Sequence, residues 1–427
     1  MATRISRRRF IRQAAAGAGG LAAGGYRLAG AQGALAGAWL PPPEESGIDH
    51  VVVVMLENRS FDHMLGWVPR ADGRQAGLTY LDRAGVPRRT WHLAPDFQGC
   101  GYADPDHSYE GGRVEYNGGA CDGWLRAGDN DEYAIGYYRQ DDLAFFGRAA
   151  VDWTVCDRYF TSIMAGTFPN RVYQHAAQTD RLHNTFELSV LPTIWDRLAE
   201  HGLSGRYYFS NVPFLALWGS RYLSIGRFLP AFLADCARGT LPHVSFVEPR
   251  FFGGRFNPAN DDHPHADIRN GQAFLNLVYR AVTSGPAWPR TVLVINYDEW
   301  GGFFDHVPPP VAPIPPADRA AGDDEGLLGF RVPCVIVSPL ARRKHVSHVT
   351  FDHTSVLRMI EWRWGLEALT VRDATANNLA EALDFRQTPR VAPQYGVPPG
   401  PFGGPCGLPE TDAWTAMADV AGRHGWR

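Results

Sequence analysis

Two stretches of the chain set charged and amide side chains directly after an unbroken apolar run. One is Glu57-Asn58-Arg59-Ser60-Phe61-Asp62-His63, which follows residues 51–56. The other is Tyr297-Asp298-Glu299-Trp300-Gly301-Gly302-Phe303-Phe304-Asp305-His306, which follows residues 291–296. If both runs are buried strands of an open sheet, these residues lie beyond the strands' carboxyl ends, where the ligand sites of such sheets form. Adjacent oxygen ligands at one sheet edge would hold a hard or borderline divalent cation. Neither stretch is decisive alone, because a single carboxylate there could equally cap a helix or bond to loop amides.

A third candidate is Ala165-Gly166-Thr167-Phe168-Pro169-Asn170-Arg171, ahead of a helical pattern over 171–179. Proline suits the first turn of a helix, which puts Thr167 beside a helix N-terminus. Free amides and the helix dipole favour an anion such as phosphate at that position. A threonine hydroxyl becomes a nucleophile only when a metal or base activates it; read by itself, Thr167 is more readily a helix cap than a nucleophile. Histidines supply further groups: His107 in Asp106-His107-Ser108, His263 and His265 in Asp261-Asp262-His263-Pro264-His265, and His353 in Phe351-Asp352-His353-Thr354. Each lies in a polar loop or immediately before a helix, and an imidazole near neutrality can stabilise phosphoryl oxygens or protonate a leaving alkoxide. Any one of them could also be structural.

The elements that must position these groups follow from hydrophobic pattern. Residues 51–56, 291–296 and 332–337 are apolar without alternation, as strands buried on both faces are, and such strands belong to parallel sheets. Helical patterns over 193–201, 267–282 and 355–364 separate them, the first and last closed by Gly202 and Gly365. The alternation predicts an α/β layered domain with helices on both faces. Residues 69–130, 308–326 and everything after Phe385 read as loops, the first long enough to carry or cover a site. The expected organisation is an export signal at 1–31, a Pro-rich linker at 32–45, a catalytic domain at 46–385 and a Pro/Gly-rich tail at 386–427.

The N-terminus carries Ser6-Arg7-Arg8-Arg9-Phe10 ahead of an Ala/Gly-rich stretch, with no acidic residue before Glu44. That is the pattern of a twin-arginine export signal, whose cargo crosses folded and often with its metal already bound. Removing 1–31 takes six arginines and leaves 35 basic against 45 acidic residues, which argues against a nucleic-acid partner. No later stretch approaches a membrane span, so a product outside the cytoplasmic membrane is expected: secreted, wall-associated or periplasmic. The six cysteines contain no C-x-x-C, and Cys100 with Cys121 is the first disulfide pair to test.

Taken together, ENRSFDH, AGTFPNR, DDHPH, YDEWGGFFDHVPPP and SPLARRKHVSHVTFDHTSVLRMIEWRWGL resemble the bacterial phosphoesterase family of haemolytic and non-haemolytic phospholipases C and a related acid phosphatase. The motifs keep the family's order over most of residues 46–385. The resemblance implies an alkaline-phosphatase-like α/β fold, a central mostly parallel sheet, a metal site and a hydroxyl nucleophile. Carried over by position, it implies Glu57, Asn58, Asp298 and Glu299 as metal ligands, with Thr167 as both nucleophile and ligand. His107, His263 and His353 fall where the family surrounds the transferred phosphoryl group, and His265 matches less securely. Glu299 departs from relatives with a second aspartate there, and the C-terminal β-domains of the larger phospholipases are missing.

The expected reaction is a two-step phosphoryl transfer through phosphothreonine, with His353 or His263 protonating the leaving oxygen. Oxygen-rich ligation favours calcium, magnesium or manganese, with zinc still compatible. A phospholipid diester is the expected substrate. The alternatives are an acid phosphatase acting on small monoesters and, more distantly, an inactive metal- or lipid-binding protein. Trp67, Trp91, Trp124 and Trp153 could cage a choline-like cation or simply pack.

Overall fold

The computed structural model describes residues 40–253, 258–387, 391–406 and 413–426. The stretch read as an export signal, 1–31, lies outside the described residues, as do residues 32–39 of the linker.

The long central strands form where β-branched and aliphatic residues dominate, and shorter, more polar ones flank them. In chain order they are β1 (His50–Leu56), β2 (Thr79–Leu81), β3 (Pro87–Arg89), β4 (Trp91–His92), β5 (Gly136–Tyr137), β6 (Thr154–Cys156), β7 (Gly205–Phe209), β8 (Gly226–Phe228), β9 (Val244–Val247), β10 (Thr291–Tyr297), β11 (Val335–Val337) and β12 (His345–Ser347). Eight build the central sheet in the order β12-β6-β11-β10-β1-β9-β7-β8. Five of its seven pairings are parallel, and β11 alone runs antiparallel to both its neighbours, β10 and β6. The fold is thus an α/β one around a mostly parallel sheet, as expected. The run 332–337, read as one more parallel strand, is the exception: it pairs antiparallel and keeps only Val335–Val337, Pro333 having no N–H for a ladder.

The chief helices are α1 (Phe61–Leu65), α2 (Tyr109–Tyr116), α3 (Thr167–Ala176), α4 (Ile194–Glu200), α5 (Ile268–Ser284), α6 (His353–Trp364) and α7 (Ala413–Arg423). Local chemistry sets their ends. Thr193 and Asp196 form a capping box on α4, Asp267 caps α5, and Asp352 accepts from the N–H groups of Thr354 and Ser355 on α6. Gly365 closes α6 at φ 65°. Helix α3 begins at Thr167 rather than at 171, because Pro169 fits a first turn, and α6 begins at His353 rather than 355.

Three stretches read as loops carry structure. Residues 69–130 include β2, β3, β4 and α2; 308–326 include a short helix, Pro316–Ala321; the tail includes α7. Cys100 bonds to Cys406, which ties the long loop to the tail, while Cys121 is a buried free thiol; the pair Cys100–Cys121 is therefore wrong. Partnering across 306 residues leaves no spacing signal. The four tryptophans do not form a cage either: Trp124 and Trp153 are fully buried in two separate apolar clusters. No helix among the described residues is long and apolar enough to cross a membrane.

Candidate active site

β1 and β10 lie side by side with Leu56 opposite Tyr297, so the next residues, Glu57 and Asp298, leave the sheet together. On the other side of β1, strand β9 is followed directly by Glu248. All three carboxylates converge on one guanidinium. Arg171 Nη1 donates to Glu248 Oε2 at 2.6 Å, Nε donates to Asp298 Oδ2 at 3.0 Å, and Nη2 lies 3.1 Å from Glu57 Oε1. Arg171 comes from α3, so the helix that begins with Thr167 is bolted to three strand ends. Every member is 4% exposed or less. Burial raises the pKa of Glu57, Glu248 and Asp298, and Arg171 opposes it in each case.

Asn58 sits at the centre at φ 60°, a left-handed conformation that asparagine tolerates. Its N–H donates to Asp298 Oδ1 at 3.1 Å. Its side-chain amide faces two ways: Oδ1 accepts from Thr167 Oγ1 at 3.5 Å, and Nδ2 donates to His107 Nε2 at 3.3 Å. Thr167 itself is the first residue of α3, with Gly166 in the cap position and no side-chain cap. Its hydroxyl is therefore not spent on the helix. Asn170 fixes the turn before it, accepting from Ile163 N at 3.1 Å and donating to Ala165 O at 2.7 Å. The expected bed of free amides is narrower than the sequence implies, since Phe168 N–H already donates to Asn184 Oδ1 and Pro169 has none.

The histidines form a rim on the solvent side. His107 Nδ1–H donates to Pro105 O at 2.8 Å, which leaves Nε2 as the acceptor facing Asn58 and 3.9 Å from Glu299 Oε1. His263 Nδ1–H is held by Pro264 O, and its Nε2 lies 3.8 Å from Asp104 Oδ2. The two rings stand edge to face, 5.8 Å between centroids. His353 differs. It is fully buried, Nε2–H donates to Tyr297 O at 3.0 Å, and burial lowers its pKa to about 4. It is neutral at neutral pH, not the cation that its place in a polar loop suggested. His265 donates to Tyr102 O at 2.9 Å and braces the loop instead.

A divalent cation fits the residues present. Glu57, Asp298 and Glu299 are fully buried, and with Glu248 they outnumber the single positive charge of Arg171. Burial pushes the pKa of Glu299 well up, and Asp298 adds to the shift. Glu57 Oε1 and Glu299 Oε1 accept no hydrogen bond. Arg171 Nη2 stands 3.1 Å from Glu57 Oε1, but buried carboxylate oxygens with no hydrogen bond, next to an amide oxygen and a hydroxyl, are the donor set a hard cation takes.

The model of the phosphoesterase family matches residues 48–367. The chain belongs to the phosphoesterase family. This phosphoesterase is 31% identical to non-specific phospholipase C1 of Arabidopsis thaliana, over 82% of its own length and 73% of the relative's. It is 31% identical to phospholipase C A of Mycobacterium tuberculosis, over 82% and 79%. Among solved structures it is similar to an alkaline phosphatase superfamily protein of Vibrio parahaemolyticus at 11% identity and a TM-score of 0.36, covering 77% of this chain and 69% of that one. Its class is therefore a hydrolase of phosphate esters.

Within this phosphoesterase, the second halves of the two strand-end motifs serve the scaffold. Arg331 donates to Asp305 at 2.9 Å and to Asp62 at 3.2 Å, and His306 Nδ1 meets Asp62 at 2.5 Å. Those acids are already neutralised. Two glycines in the β10 loop make close approach possible: a Cβ on Gly301, at φ 65°, would stand 2.1 Å from Asn58 O, and one on Gly302 would stand 2.6 Å from Pro105 Cβ. Sequence reasoning missed Arg171, Glu248, Asp104 and Trp414. Glu248 alone left a readable trace, an acid directly after a short apolar run.

Proposed function

We propose that this phosphoesterase is an exported, metal-dependent phosphodiesterase of phospholipase C type, with Thr167 as nucleophile. One observation carries the reading: an uncapped hydroxyl at a helix N-terminus touches Asn58, between a rim of histidines and buried carboxylates of which Glu57 and Glu299 each keep one oxygen without a hydrogen bond. The names of the relatives favour a phospholipid diester as substrate. Glu57, Asn58, Asp298 and Glu299, with Thr167 at the edge, would hold the cation, which supplies Lewis acidity toward the hydroxyl and the phosphoryl oxygens when bound.

In the first step Thr167 Oγ, its proton already released to solvent as a bound cation would favour, forms a bond to phosphorus while the bond to the leaving alcohol breaks, and solvent returns that proton when Thr167 is later displaced. Asn58 Oδ1 orients the hydroxyl. His263, whose pKa burial lowers and Asp104 only partly restores, passes a proton to the departing oxygen in its charged form, and diacylglycerol leaves. His107 and the start of α3 face the phosphoryl oxygens. Neutral His263 then takes a proton from water, whose oxygen displaces Thr167 and releases the phosphorylated headgroup. His353 supports the site from beneath through the Tyr297 carbonyl. The export reading rests on the twin arginines, and a disulfide between Cys100 and Cys406 agrees with an oxidising destination.

The test compares p-nitrophenylphosphorylcholine with p-nitrophenyl phosphate, using the mature chain, Thr167→Ala and a chelator. Diester turnover should fall at least about a thousandfold in Thr167→Ala and vanish with chelator. Preference for the monoester would move the assignment to a phosphatase, and an unimpaired variant would remove Thr167 as nucleophile.

A further inference from the structure

Trp414 lies outside the residues matched by the family model, yet it reaches the centre of the site. Its indole Nε1–H donates to Glu57 Oε2 at 3.1 Å across 357 residues of sequence. The other oxygen, Oε1, accepts no hydrogen bond, although the Arg171 Nη2 cation lies 3.1 Å from it. The indole is stacked on Phe251 with ring centroids 3.7 Å apart and planes 8° apart, and the Arg171 guanidinium carbon is 4.8 Å and 5.5 Å from those two rings. Phe168, the neighbour of Thr167, packs against the same indole at 5.6 Å. Helix α7 holds the ring in place by burying Met417, Val420 and Ala421, and Trp426 Nε1–H, just beyond the helix, donates to Gly219 O at 2.8 Å. The indole N–H and the ring contacts with Phe251 and Phe168 thus tie Trp414 to residues around Glu57 and Thr167.

We propose that Trp414 is a positioning residue for the cation site: by occupying Oε2 of Glu57 it fixes the carboxylate and leaves Oε1 as the ligand atom. This rests on the metal reading above. A carboxylate can present either oxygen, and a donor on one of them removes that choice; losing such an outer partner costs 10–100-fold in metal affinity. The linkage is reciprocal, so bound metal tightens the docking of α7 by the same factor.

The experiment titrates chelator-stripped full-length mature protein with Mn2+ by calorimetry, as wild type, Trp414→Phe and Glu57→Gln. Phenylalanine keeps the stack and deletes the donor. Glu57→Gln should abolish binding, and Trp414→Phe should weaken it about tenfold or more, while saturating Mn2+ restores turnover of the p-nitrophenyl diester. A weakening of less than about threefold beside a dead Glu57→Gln overturns the role of Trp414 alone; Glu57→Gln that binds like wild type overturns the metal reading itself. Should Trp414→Phe not fold, amide exchange over α7 in the unmutated chain decides: Mn2+ slows it if the proposal holds, and unchanged exchange overturns it.

Discussion

Arg171 answers for three buried carboxylates from three different strands, so its removal leaves each without its counter-charge. Arg171→Leu should destabilise the fold by about 3–5 kcal/mol, with part of the loss recovered when a divalent cation is added. Chemical denaturation with and without chelator measures both. A cost no larger than that of an exposed Arg→Leu control, about 0.5 kcal/mol or less, would mean that the three acids are neutral in the fold and need no partner. His175 on the same helix makes a different prediction. Burial among Trp195, Phe214 and Phe246 lowers its pKa from 6.5 to about 3. The fold keeps it neutral, so as pH falls below 6.5 the unfolded chain binds a proton that the native state refuses. Stability is lost over the interval from 6.5 down to about 3, by about 2 kcal/mol already at pH 5. His175→Phe should flatten the dependence of Tm on pH in that interval, whatever its effect at neutral pH; a curve of unchanged shape would contradict the assignment.

At the scale of elements, the loop after β10 is where the site tolerates least change. Gly301 lets the chain pass against the Asn58 carbonyl at a backbone angle that other residues adopt at a cost. Gly301→Ala must push Asn58 away or distort the loop, and should lower diester turnover at least tenfold with a fall in Tm. Turnover within twofold of wild type would show that the loop has room to shift. The same scale explains what was legible. β1 and β10 are long, apolar and central, so their patterns are unambiguous and their ends pointed directly to Glu57, Asn58, Asp298 and Glu299. β6, at three residues, is too short to carry a period, and Pro333 hid the direction of β11. Helix α6 was readable from its apolar spacing and Gly365. That His353 is its first residue, and so buried, followed from the cap at Asp352, which was not recognised.

At the scale of the molecule, the partnerships invisible in sequence are the distant ones. Arg171 meets Glu248 across 77 residues and Glu57 meets Trp414 across 357. No local pattern encodes them, because each depends on the sheet order that sets β9, β1 and β10 side by side. The tail, read as an appendage, is where this failure is largest. Its helix packs on the scaffold and its cysteine closes on the loop that carries His107.

The distance from Glu57 to Trp414 also sets a clock. Protein synthesis runs at about 5–20 residues per second, so a ribosome that has delivered Glu57 works for about 20–70 s more before the indole exists. Once residue 353 has been added, the nascent chain carries Thr167, the rim histidines and the buried acids, but still lacks the last piece of the wall around Glu57. This phosphoesterase is thereby kept unfinished until residue 414 has been made, and a chain cut short anywhere before that position leaves the ribosome with that wall still open.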